Sequence, residues 1–116
     1  MAKKFIVFKD EDFGYEVALG HVQYHIELVP SSKKREDVVG GGLWHHDSGT
    51  KTMFFWGVST EFGQATKEQF DTAMKNGYIG IRLEDMNVIF SDLLDFEDVL
   101  KEHGYGEHKI NQSKEG

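Results

Sequence analysis

The strongest constraint on this chain lies between Val38 and Ala65, in VVGGGLWHHDSGTKTMFFWGVSTEFGQA. Gly40, Gly41 and Gly42 follow one another without a side chain. Such a run is a flexible turn, a strand that another backbone crosses closely, or a row of N–H groups presented to an anion. Asp47-Ser48-Gly49-Thr50 is turn chemistry, and Met53-Phe54-Phe55-Trp56 is dense enough in apolar side chains to be core. Val38 to His46 and Lys51 to Ser59 therefore predict two strands of a hairpin. Gly57-Val58-Ser59-Thr60-Glu61-Phe62-Gly63 adds a second glycine-bearing segment, so a binding site in this protein is expected to draw on these residues.

Around this stretch the pattern changes period. Lys4 to Lys9 reads as a strand, and Asp10-Glu11-Asp12-Phe13-Gly14 as an acidic turn. From Tyr15 to Val29 the apolar residues alternate, with a change of parity near Gly20 that predicts a bend, a bulge or two successive strands. Pro30 to Asp37 is polar and reads as either a short capped helix or a loop. Thr66-Lys67-Glu68-Gln69 matches a capping box, followed by Phe70, Ala73 and Met74 on one helical face, with Gly77 at the helix end. Tyr78 to Glu84 reads as a strand, and Met86 to Phe90 as a further one. A second helix is expected from about Ser91 or Asp92, with Leu93, Phe96, Leu100 and His103 in helical spacing and Gly104 as its stop. The expected fold class is α+β, a mixed or antiparallel sheet flanked by two helices. Residues 1–105 form one domain in this reading, and 106–116 a frayed polar tail.

The 116 residues include no cysteine, which removes disulfides and thiolate sites and suits a reducing, cytoplasmic compartment. Thirteen basic against twenty acidic side chains leave a formal charge of −7, the wrong sign for generic binding to nucleic acid or an anionic membrane. No window approaches the roughly 18 apolar residues of a membrane span, and the N-terminal run is too short for a signal peptide.

Six histidines are the main chemical resource. His21 and His25 stand four apart, and His45 and His46 lie at the hairpin turn beside Asp47. As metal ligands they fit no HExxH frame, so hydrogen-bonded or exposed strand histidines are the plainer reading. A single imidazole working as base or nucleophile asks for less. Ser59 lacks the second glycine of a nucleophile elbow and reads as a strand-end serine whose N–H is a candidate donor.

Taken together, Gly40-Gly41-Gly42, His46, Ser48, Lys51, Gly57, Ser59, Phe62, Gly63 and Ala65 resemble the phosphohistidine phosphatase (sex-regulated Janus) family. Gln23-Tyr24-His25-Ile26 resembles the Glu-Tyr-His motif bearing that family's catalytic histidine. The resemblance spans roughly residues 15 to 83 and implies a Janus-like mixed sheet with two helices. It implies a metal-free, cofactor-free hydrolase that releases phosphate from phosphohistidine. By carry-over His25 is the base or nucleophile, and backbone groups of Gly41, Ser59 and Glu61 hold the phosphoryl oxygens. The partner implied is a phosphorylated protein or peptide. Leu43 stands where the family carries an arginine, and Glu61 where it carries a small neutral residue.

Two functions follow from this reading: a phosphohistidine or phosphoramidate phosphatase using His25, or a non-enzymatic binding or protein-interaction module of the same fold. A metal hydrolase built from His21, His25, His45 and His46 ranks below both.

Overall fold

The computed structural model describes residues 2–12, 14–75 and 86–105. Strands β1 (Ala2–Asp10), β2 (Gly14–Val22), β3 (Val38–Asp47), β4 (Thr52–Trp56) and β5 (Asn87–Phe90) form one sheet in the order β2-β1-β3-β4-β5. All neighbours are antiparallel except β4 and β5, which run parallel, so the sheet is mixed. The parallel pair requires a crossover, and helix α1 (Lys67–Met74) lies in it. Helix α2 (Phe96–Glu102) follows β5, which completes the expected α+β architecture.

The apolar density of two strands has a direct cause. Phe5 to Phe8 in β1 and every residue of β4 are buried, because both strands lie inside the sheet with each face covered. On one face Phe5, Val7, Met53 and Phe55 pack with Phe70 and Ala73 of α1. The Phe5 and Phe55 rings meet edge to face at 5.1 Å, and Phe70 stacks on Phe90 at 4.5 Å. On the other face Phe54 and Trp56 meet Val99 and Leu100 of α2, with Phe96 stacked on Trp56 at 4.3 Å. Thr66 caps α1 as its sequence predicts, its hydroxyl accepting from Gln69 N–H at 3.0 Å while Gln69 Oε1 accepts from Thr66 N–H at 2.9 Å.

Several expectations change in detail. The chain does not stay extended to Val29: β2 runs unbroken through Gly20 and stops at Val22, and His25–Leu28 is a 3-10 turn. Gly20 makes room for that turn to fold back, since a Cβ there would sit 3.2 Å from Leu28 Cδ2. Residues 30–37 hold no α-helix, only a loop ending in the 3-10 turn Arg35–Asp37. The second hairpin strand ends at Trp56 rather than Ser59, and α2 starts at Phe96 behind an Asp95 cap. Gly104 ends that helix at φ +86°. Gly77, the strand expected over 78–84, the Glu84-Asp85 turn, Phe13 and the tail 106–116 lie outside the described residues. No helix among the described residues is long and apolar enough to cross a membrane.

The three glycines sit in mid-sheet, where Gly40, Gly41 and Gly42 face Val7, Ile6 and Phe5 of β1. None has a positive φ, so space and not backbone conformation demands glycine here. A Cβ on Gly40 would come within 2.1 Å of Ala65 N, and one on Gly42 within 2.2 Å of Trp56 O. Gly49 in the hairpin turn has only an ordinary contact, 3.6 Å to Asp47 Oδ2. We expect Gly40→Ala to lower unfolding free energy by about 2 kcal/mol or more through overpacking against backbone, while Gly49→Ala stays near parental. Urea denaturation of the two variants checks this, and equal midpoints would refute it.

Candidate functional site

His25 stands in the 3-10 turn that follows β2, and the turn lays it across the glycine run of β3. The residue is 8% exposed. Its Cδ2 lies 3.0 Å from where a Gly41 Cβ would be, so Gly41 makes the room the ring occupies. Nε2 is 2.8 Å from the Gly42 carbonyl. A carbonyl only accepts, so Nε2 carries the proton and, in the neutral ring, Nδ1 holds the lone pair. The turn is held by Glu27, whose Oε2 accepts from Tyr24 N–H at 2.8 Å.

Burial pushes the His25 pKa below its ordinary value of about 6.5, and the nearby Lys4 charge acts the same way. The Gly42 hydrogen bond and the Glu61 carboxylate oppose this without reversing it. The ring is therefore neutral at pH 7. Lys4 itself is held beside the turn, its Nζ donating to Gln23 O at 2.7 Å.

The segment after β4 closes a tight turn from Ser59 to Gly63. Ser59 N–H donates to Gly63 O at 3.1 Å, and Gly63 N–H returns to Ser59 O at 2.8 Å. Gly41 N–H also donates to Gly63 O, at 3.0 Å, which ties this turn to the glycine run and hence to His25. Ser59 is buried, and its Oγ accepts from the N–H groups of Glu61 and Phe62 at 3.2 and 3.1 Å. Its hydroxyl thus organises the turn. Arg35 reaches the same turn from its own 3-10 segment, pairing through Nη1 with Glu61 Oε2 and lying 5.3 Å from the centre of the Phe62 ring.

His25 and Gly41 are brought into contact, and the turn carrying Ser59 and Glu61 is hydrogen-bonded to Gly41. The amides of Gly41, Ser59 and Glu61 each have an internal acceptor. Lys4 and Arg35 join the site without any signal of spacing or motif, because tertiary folding alone brings them there. The other histidines go elsewhere. His21 stands 6.0 Å from Trp44 and His45 5.6 Å from Phe96, and Trp44 and His45 alternate to opposite faces of β3. Asp47 serves the hairpin, its Oδ2 accepting from Thr50 N–H at 2.9 Å. Among the described residues no group of three or more His, Asp or Glu is placed to hold a metal ion.

The sequence model of the Janus/Ocnus family matches residues 11–82, a span that includes His25, the glycine run and the 59–63 turn. The chain belongs to the Janus/Ocnus family. Comparison with curated proteins gives no match. For this Janus/Ocnus protein the match establishes kinship and agrees with the mixed sheet.

His25 and His45 are both held below their ordinary pKa by burial, so the unfolded chain takes up protons on them before the folded one does. Stability contributed by the neutral rings is present above about pH 6.5 and is lost as pH falls through and below that value. Urea midpoints at pH 7.5 and 5.5 should fall in that order, with a smaller drop in His25→Gln. An unchanged difference in that variant would remove His25 from the effect.

Proposed function

We propose that this protein is a phosphohistidine or phosphoramidate hydrolase in which His25 is the base or nucleophile. The observation that carries the reading is the fixed, neutral imidazole: Nε2–H is held by Gly42 O, which leaves Nδ1 as the lone pair. Such a nitrogen can take a proton from an attacking water as the P–N bond breaks and return it to the departing nitrogen. It can equally attack phosphorus and carry the phosphoryl group until water releases it.

The phosphoryl oxygens are assigned to backbone donors of Gly41, Ser59 and Glu61. Glu61 N–H is the readiest of the three, because its present acceptor is the rotatable Ser59 hydroxyl. Gly41 and Ser59 share the Gly63 carbonyl, so they turn to a phosphoryl group only if Gly63 moves. Donors of this kind act on the charge that builds on phosphoryl oxygens in the transition state. Lys4 adds a cation beside the ring. We assign no metal or cofactor to the reaction, a phosphorylated protein or peptide as substrate, and a reducing cytoplasmic setting in keeping with the cysteine-free chain.

A second reading rests on a different observation. Among the described residues the large apolar side chains left exposed are Tyr24, Ile26, Val58 and Leu94. The first two flank His25. Val58 follows Gly57, whose N–H donates to Leu93 O at 3.0 Å, next to Leu94. That distribution also suits a non-enzymatic module accepting a peptide.

Phosphate release from phosphoramidate and from a phosphohistidine peptide separates the two. Hydrolysis should drop at least about 100-fold in His25→Ala, the usual contribution of a positioned base. In the parent the rate should fall as pH drops through a midpoint below 6.5, where Nδ1 becomes protonated. Unchanged activity in His25→Ala removes that residue from the role, and peptide binding without turnover in the parent favours the module.

A further inference from the structure

The guanidinium of Arg35 stands at the 59–63 turn of the candidate site. It comes from the loop after Pro30, is 57% exposed, lies against the Phe62 ring and meets Glu61 Oε2 through Nη1. Glu61 is 27% exposed on its side chain, so the pair is open to water. Open pairs of this kind are weakly held and easily exchanged. The ring beneath Arg35 keeps the cation in place while its partner changes. Among the described residues Glu61 is the only hydrogen-bond partner of the guanidinium, so N–H groups of the planar fork remain for a second acceptor.

We propose that Arg35 is the anion-recognition residue of this site and that Glu61 is its resident internal ligand, displaced when a phosphoryl group enters. This rests on the phosphoryl reading of the site. The geometry is specific on two points. The turn that carries Glu61 is hydrogen-bonded to Gly41 through the Gly63 carbonyl, and Gly41 makes the room for the His25 ring, so an anion replacing the carboxylate on Arg35 arrives at the turn tied to the histidine's own support. The Glu61 N–H faces the same turn through Ser59 Oγ, so one residue offers a donor in its backbone and a competitor in its side chain. A phosphoryl group matches the guanidinium fork with two oxygens, where Glu61 engages one nitrogen with one. The carboxylate thus sets a threshold: monoanions compete poorly with it, and dianionic phosphoryl groups compete well.

The consequence is a pair of substitutions with opposite effects. Binding of inorganic phosphate at low ionic strength is followed by calorimetry in the parent, Glu61→Gln, Arg35→Ala, Arg35→Lys and the double variant Glu61→Gln/Arg35→Ala. Glu61→Gln keeps the backbone donor and removes the competing charge, and should tighten binding about tenfold. Arg35→Ala should weaken it by about as much, with Arg35→Lys in between. The double variant should show no tightening. Thermal melting of each variant controls for folding, because a purely structural ion pair destabilises alike from either side and leaves phosphate affinity unmoved. Phosphate affinity that moves the same way in both single variants, or in neither, overturns the proposal. Phosphoramidate hydrolysis run in parallel keeps the two ideas apart. His25-dependent hydrolysis without opposed shifts discards the Arg35 role and leaves the catalytic reading. Opposed shifts without hydrolysis support the Arg35 role and discard catalysis.

Discussion

The close approach of backbone at Gly40, Gly41 and Gly42 is the constraint on which the rest of this structure depends. At Gly40 the chain around Ala65 crosses within a distance no side chain tolerates; at Gly42 the carbonyl of Trp56 does the same. Between them Gly41 clears the space that the His25 ring occupies. Three segments far apart in sequence converge on three residues, and each convergence uses the missing Cβ. The exit of β4, the entry to α1 and the 3-10 turn after β2 are all positioned there. In this setting the glycine run is a packing device, and it also admits the His25 ring.

That histidine works in an unusual balance of charge. The chain as a whole carries −7, yet Lys4 and Arg35 stand at or next to the site. Glu61 offsets them and also acts on the ring. Burial decides the outcome, because desolvation disfavours the imidazolium more than one carboxylate favours it. The Gly42 carbonyl then selects the tautomer. A neutral ring with a fixed N–H on one side and a lone pair on the other is a chemical asset only if the second nitrogen meets a substrate, which makes the loops around it decisive for function.

Those loops are the part of the fold least written in local sequence pattern. The hairpin, the Thr66 cap and the helical spacing of Phe70 and Ala73 were legible because each is a local rule: a turn, a cap and a period. The end of β2 was not. Alternation from Tyr15 to Val29, with its change of parity near Gly20, predicts extended chain through His25. The chain leaves the sheet after Val22, where its pairing with Ala2 is the last rung of β1, and the 3-10 turn re-aims His25. Ser59, a strand end by its sequence, is made the organiser of a turn by the bridge to Gly63.

What the sequence alone determined is the family, the α+β class and the central hairpin, and it also names the residues of the candidate site, since the glycine run, the histidine and the 57–63 segment are written as local patterns. Only the tertiary structure decided how they meet: which histidine lies on the glycines, which of its nitrogens is held, where the backbone donors are committed, and that Lys4 and Arg35 belong with them. The physical reason is separation along the chain. Caps, turns and periodicity act over a few residues, whereas desolvation, close backbone crossing and ion pairing depend on neighbours that only folding supplies.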